Sequence, residues 1–306
     1  KVDLMSDLVG EFPELQGIMG GHFAEAQGFD KDISLAVREH YLPIGLNSKV
    51  PKKLFSVALA LSDKLDTLVG FFGTDNKPTS SKDPYALRRA ALGLIRLLIE
   101  NNKEFKIKDL INYSTTLYEE QSFKFTNKSV QKELTDFLLD RLKYYMRKKN
   151  IRSDIIDASL NFFGINEITK IYKKSIVLNK YINKEIGIDI ISSYKRAYNI
   201  LSHELNNKEL EISNSIDPVL FKSEYEKNLY KKIHELRKYF TSINRDENYD
   251  LTLKNLADSK KVIFEFFDNV KVNDEDKTIK KNRLELLHLF CRTFDNYILF
   301  SSIESL

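Results

Sequence analysis

Two histidines and two aspartates in the first 66 residues are the side chains best suited to metal-assisted chemistry. His22, His40, Asp63 and Asp66 are spread over successive segments. Histidines and carboxylates from separate helices can converge on a divalent ion and activate a water. The plainer reading is that His22 and His40 are ordinary packed or half-exposed histidines. Other starting points for catalysis are missing: there is no G-x-x-x-x-G-K phosphate loop, no G-x-G-x-x-G turn and no G-x-S-x-G elbow. The one cysteine, Cys291, cannot form an internal disulfide or a zinc cluster, and it reads as a buried, inert thiol on an apolar helix stripe. His203, His234 and His288 stand alone among helix-forming residues.

Charge points elsewhere. The 306-residue chain has 48 Lys+Arg against 44 Asp+Glu, a formal charge of +4, but the distribution is uneven. Residues 1–100 hold 12 basic and 13 acidic side chains, whereas residues 141–184 hold 11 basic and 3 acidic. Arg141–Arg152 contains six cations with Tyr144 and Tyr145 and no acid, and Ile168–Lys184 contains five Lys with Tyr172 and Tyr181, again with no acid. Cations pair with phosphates and tyrosines stack on unpaired bases, so this interleaving suits RNA. A Lys-rich solvated face remains the alternative in a chain with 36 Lys to 12 Arg.

The elements that position these residues are helices. Nine of 11 Gly and five of six Pro lie within residues 1–93, and beyond residue 100 long polar–apolar periods run with few breakers. Phe55–Phe72 is expected to be a helix carrying Asp63, Lys64 and Asp66. Asp83-Pro84 starts the next one, with Leu87, Ala91, Leu94 and Leu98 on one face. Val2–Leu15 reads as though entered mid-helix. Three later stripes are Leu229, Ile233, Leu236, Phe240; then Leu253, Leu256, Ile263, Phe267, Val270; then Ile279, Leu287, Phe290, Phe294, Tyr297. No hairpin signal interrupts them, so the fold class is all-α. No run approaches the ~20 apolar residues of a membrane-spanning helix. No basic-then-apolar leader opens the chain, so a cytoplasmic location is expected, and a first residue that is Lys1 rather than Met suggests a piece of something longer.

Several strings resemble a known family. Glu11-Phe12-Pro13-Glu14-Leu15-Gln16-Gly17 with Met19-Gly20, Glu39-His40-Tyr41-Leu42-Pro43 and Ala60–Leu68 are similar to stretches of the bacterial glycyl-tRNA synthetase beta subunit. Lys82-Asp83-Pro84-Tyr85-Ala86-Leu87-Arg88-Arg89-Ala90-Ala91-Leu92-Gly93 is similar to its K-D-P-F-A-L-R-R-A-A-L-G. Lys195-Arg196-Ala197-Tyr198-Asn199-Ile200-Leu201, Ile216-Asp217-Pro218, Phe266–Val272 and Asn282-Arg283-Leu284-Glu285-Leu286-Leu287 follow in the family's order. The His/Asp order also resembles HD-domain phosphohydrolases, except that the His-Asp pair is broken because Tyr41 follows His40. Signatures of tRNA-charging active sites are absent.

The resemblance implies an HD-like helical domain over 1–100, a helical connecting region over 101–163 and a DALR-type anticodon-binding bundle over 164–306. It implies the tRNA-binding subunit of a heterotetrameric glycine–tRNA ligase whose alpha subunit performs ATP- and Mg-dependent aminoacylation. This chain would then bind no cofactor and carry no catalytic residue, its partners being glycine tRNA and the alpha subunit, with no membrane and no DNA. An HD-type metal phosphohydrolase, using the degenerate positions His22, His40 and Asp63, is the alternative. By the same resemblance the tRNA-binding candidates are Lys195, Arg196 and Asn199, then Lys281, Asn282 and Arg283, then Lys82, Arg88 and Arg89. Asp83 is expected to cap a helix.

Overall fold

The computed structural model describes residues 1–163, 165–206, 215–242 and 248–304, which are helical with no β-strand among them. The first helices are α1 (Asp7–Glu11), α2 (Ile18–Ala26), α3 (Lys31–Glu39), α4 (Leu54–Gly73), α5 (Leu87–Glu100), α6 (Ile107–Glu120) and α7 (Val130–Lys148). They are followed by α8 (Ser153–Phe163), α9 (Ile168–Tyr181), α10 (Glu185–Asn206), α11 (Glu224–Ser242), α12 (Tyr249–Ala257), α13 (Lys260–Asn269) and α14 (Lys277–Phe294). The chain forms two compact units: residues 1–149 with 165–172, and residues 150–164 with 173–306.

In the first unit α5 is the central helix. Its expected face of Leu87, Ala91, Leu94 and Leu98 is buried, and so are Leu92, Ile95 and Leu97, as a helix apolar almost all round requires. Val57 and Ala60 of α4 pack with Val50 and Leu97. From α7, Leu134, Leu138, Leu142, Tyr145 and Met146 face inward at helical spacing. The expected helix start at Asp83-Pro84 shifts to Leu87, because Ala86 takes a left-handed conformation (φ 55°). Asp83 still caps, reaching across that turn to accept the amides of Leu87 (2.8 Å) and Arg88 (3.0 Å). Val2–Leu15 is a short 3-10 turn, α1 and a second 3-10 turn from Pro13 instead of one helix, since Pro13 denies the helix an amide. Gly17 sits at φ 80°, where a Cβ would lie 2.9 Å from the Tyr41 ring, so the turn into α2 requires glycine.

The second unit is organised by α10 and α14. The stripe expected to run unbroken from Leu253 to Val270 is divided by Asp258 and Ser259 into α12 and α13. Ser259 is buried and its hydroxyl donates to the Leu256 carbonyl (2.6 Å), which ends one helix as the next begins. Tyr194 of α10 lies among Phe294 (6.1 Å between centroids), Phe300 (5.6 Å) and Tyr198 (5.7 Å). Where α11 begins, Glu226 accepts the amides of Lys222 and Ser223 (both 2.8 Å), while its own amide bonds the Ser223 hydroxyl (3.3 Å), a capping box. The same carboxylate receives Arg283 Nε of α14 at 2.7 Å, with Glu226 fully buried and Arg283 6 % exposed.

Breaking a buried pair strands the surviving charge. Arg283→Met or Glu226→Gln is expected to cost about 3–5 kcal/mol in urea unfolding. The double replacement should cost clearly less than the sum of the two, and strict additivity would contradict the pairing.

Asp295, just after α14, accepts the Tyr194 hydroxyl (3.2 Å) and the Phe300 amide (3.1 Å), and burial pushes its carboxyl up to about 6 from 3.8. The folded state therefore holds this proton more tightly than the unfolded chain. Stability from this group is lost as pH rises from about 4 through about 6. Asp295→Asn should gain roughly 1–2 kcal/mol relative to wild type between pH 4 and pH 7, after allowance for solvent screening. A pH-independent difference in unfolding free energy would contradict this.

Candidate nucleic-acid interface

The His/Asp constellation does not assemble. His22 is exposed on α2. His40 is buried against Tyr41 (ring centroids 3.9 Å), and its Nδ1–H donates to the Val37 carbonyl at 2.5 Å. Burial also lowers its pKa, keeping the ring neutral. Asp63 pairs with Lys1 at 2.6 Å, and Asp66 is exposed. Among the described residues no group of three His, Cys, Asp or Glu side chains is gathered so as to hold a metal ion. Lys64, next to Asp63, turns inward instead. Its ammonium donates to the Tyr41 carbonyl (3.0 Å), its stem fills the space a Cβ on Gly93 would take, and burial lowers its pKa to about 8.

The candidate cations of the first unit separate by surroundings. Lys82 and Arg89 are exposed, and Arg89 lines a cleft of about 460 Å³ with Tyr41, Lys64 and Tyr85. Arg88 braces the preceding loop by donating to the carbonyls of Thr79 and Ser80. The tyrosines of the basic segments divide in the same way. Tyr145 is core, packed against Tyr172 (5.6 Å), and Tyr181 donates to Asp250 (2.8 Å). Tyr144 is exposed on α7, with Arg141 and Lys148 each 5.6 Å from its ring.

In the second unit one cleft of about 500 Å³ gathers part of the candidate set. One wall is α10, whose Arg196, Asn199, Ile200, His203 and Glu204 share a face at spacings of three and four. The other is Phe267 of α13 and the extended segment after it. Arg196 lies over the rings of Phe267 (4.6 Å) and Phe264 (5.2 Å) and pairs with Asp268 at 3.4 Å. Asn199 is exposed. Glu204 is held below the usual carboxylate range by its bond to Lys280 (2.7 Å).

Lys195 lies outside the cleft, its ammonium 3.5 Å from the Ser301 carbonyl. Asn282 is buried, pairing reciprocally with the backbone of Asp217 (2.8 and 3.0 Å). Arg283 touches the cleft from behind: its Nη1 donates to the Lys271 carbonyl (2.8 Å) and to Asp274 (2.7 Å), fixing the wall. Lys281 is half-buried on α14. Sequence reasoning missed Phe267, Lys271 and Asn273 as cleft residues. Phe267 and Lys271 lie in the string Phe266–Val272, where the apolar stripe and the family likeness are the readable signals, and Asn273 follows it directly.

Comparison with known proteins agrees with the two-part organisation. The family model of the glycyl-tRNA synthetase beta subunit matches residues 1–161, and that of the DALR anticodon binding domain matches residues 190–300. A glycine–tRNA ligase beta subunit of Rickettsia typhi is 38% identical over 300 residues, covering 98% of this chain and 43% of the relative. That of Rickettsia canadensis is 37% identical over 303 residues (99% and 43%), and that of Cereibacter sphaeroides is 36% identical over 288 (94% and 41%). The chain thus spans less than half the length of these curated relatives. With its first 161 residues matched to one family model, and the cleft described above lying inside the segment matched to the other, the chain belongs to the glycyl-tRNA synthetase beta subunit family and carries a DALR anticodon-binding domain.

Proposed function

We propose that this chain is a tRNA-holding portion of a glycine–tRNA ligase beta subunit. It would position glycine tRNA while ATP- and Mg-dependent aminoacylation proceeds on an alpha subunit. The observation that carries this reading is the open cleft on α10, with the Arg196 and Asn199 motif side chains at its surface, inside the segment matched to an anticodon-binding family. An RNA is favoured over DNA because unpaired bases, stacked and read at their edges, suit a cleft better than a paired duplex does. Lys281, Lys82 and Arg89 serve as phosphate contacts in this reading, and Lys195 and Arg88 act at its margins. Asn282 and Arg283 support from within.

The division into 1–100, 101–163 and 164–306 is kept as a functional one: a body that meets the tRNA, a connector, and an anticodon-reading bundle. The setting is the cytoplasm, where glycine tRNA is charged, and no helix among the described residues is long and apolar enough to cross a membrane. Among the described residues the phosphohydrolase alternative has no assembled ligand set behind it.

Binding to glycine tRNA and to a noncognate tRNA across a salt series tests the proposal. Cognate-preferring affinity should fall steeply with salt, log K losing about 0.7–0.9 per phosphate contact for each decade of salt. Replacing Arg196 and Lys281 by Ala should weaken binding about five- to tenfold and flatten that slope. Unchanged affinity in the double variant would remove the assignment.

A further inference from the structure

The first unit has a second cavity, of about 520 Å³, between α4 and α6, with His40 at the end of α3 in its lining. Leu59, Ser62 and Asp66 face it from α4 at spacings of three and four. Tyr113, Leu117 and Gln121 face it from α6 at spacings of four. Leu59, Tyr113 and Leu117 are exposed, so the cavity opens through an apolar surface. Two acceptors in the lining are left over. His40 is 4 % exposed, and its Nδ1–H is bonded to the Val37 carbonyl, which makes Nε2 a bare lone pair. That Nε2 has no hydrogen bond among the described residues, and a buried acceptor without a donor is costly. Asp63 is paired with Lys1 at 2.6 Å, whereas the Asp66 carboxylate has no ion pair among the described residues. A phosphate seated here would meet a lone pair and the carboxylates of Asp63 and Asp66. A metal ion would need a gathered ligand set, and none is present among the described residues. The groups left over ask for a donor.

We propose that this cavity binds an organic monocation, a primary ammonium carried on an apolar or aromatic stem. The head donates to His40 Nε2 and to the Asp66 carboxylate, and the stem lies against Leu59, Tyr113 and Leu117. Three features prepare the site. The Val37 carbonyl can only accept, so it fixes the imidazole tautomer and leaves the lone pair ready for a donor. A bond from an ammonium to that buried nitrogen is charge-assisted and stands where water does not weaken it. Tyr113 and Tyr118 bring aromatic rings into the lining, and ring faces attract an ammonium. Lys1, whose own ammonium sits at Asp63, shows that this lining accommodates the group. The volume falls in the range of small-molecule sites. The site belongs to the first unit and stands apart from tRNA holding, so either can fail without the other.

The probe is phenethylammonium, added to the full chain with isotope-labelled histidines and followed by NMR. Phenethyl alcohol keeps the stem and loses the charge, and phenylacetate reverses the charge. The ammonium should bind about tenfold more tightly than the alcohol, and phenylacetate should not bind. On binding, the His40 Nε2 resonance should move upfield as its lone pair accepts a donor, while that of the exposed His22 stays in place. Asp66→Asn should weaken the ammonium roughly threefold and leave the alcohol unchanged. Tyr113→Ala should weaken both alike. Both residues are exposed, so thermal melting of the variants should match wild type. A blocked tripeptide with lysine between two phenylalanines separates the sources of the head group. Tighter binding than the free amine assigns it to a lysine of another polypeptide, and weaker binding to a small-molecule amine. Equal affinity for ammonium and alcohol, an Asp66→Asn variant that binds the ammonium as wild type does, or an unmoved His40 resonance would overturn the inference.

Discussion

The second unit depends on one buried guanidinium. Arg283 of α14 ties the capped start of α11, through Glu226, to the segment after α13, through the Lys271 carbonyl and Asp274. Removing such a charge from water costs several kcal/mol, which only a full set of directed acceptors offsets. Arg supplies a rigid planar fork, so satisfying it sets the angle between helices as well as their distance. Asn282, one residue earlier, applies the same logic to the backbone of Asp217. The consequence for function is indirect. The segment that forms one wall of the α10 cleft is held from behind, and its outer side is left for another molecule.

The first unit uses cations in a comparable way. The stretch 41–53 has no regular structure, so its carbonyls need donors from elsewhere. Lys64 supplies the Tyr41 carbonyl, and Arg96, itself 5 % exposed, supplies those of Gly45 and Ser48 while bonding Glu100. Arg88 does the same for the loop before α5. Each of these side chains counts as a positive charge in the composition, yet none is spent on the surface field. Lys82, Arg89 and the group around Tyr144 remain where a polyanion can reach them.

Helical character and the buried faces were legible from periodicity, because a stripe such as Leu229–Ile233–Leu236 or Leu87–Ala91–Leu94–Leu98 has one stable way to leave water. Boundaries were less so. The division between α12 and α13 falls at Asp258-Ser259 without Gly or Pro, and the start of α5 depends on Ala86 taking a left-handed conformation that no local residue announces. For the candidate site, the sequence showed which residue types were present but not which way they face. Lys195 and Arg196 are neighbours in sequence, yet one reaches the Ser301 carbonyl and the other lines the cleft, since adjacent helical positions point about 100° apart. Asn282 and Arg283 look like contacts for RNA and are turned inward. Pairings such as Arg283 with Glu226, 57 residues apart, follow from packing and leave no local trace.

The central claim is that RNA meets this chain at the α10 cleft. Ultraviolet cross-linking of glycine tRNA to the chain, read by mass spectrometry, tests it most directly. Cross-links should join an anticodon-loop nucleotide to peptides containing residues 196–203 of α10 and residues 267–273, which run from the last turn of α13 into the segment after it. Cross-links confined to the lysine-rich 141–184 region, with none on either wall of the cleft, would contradict it.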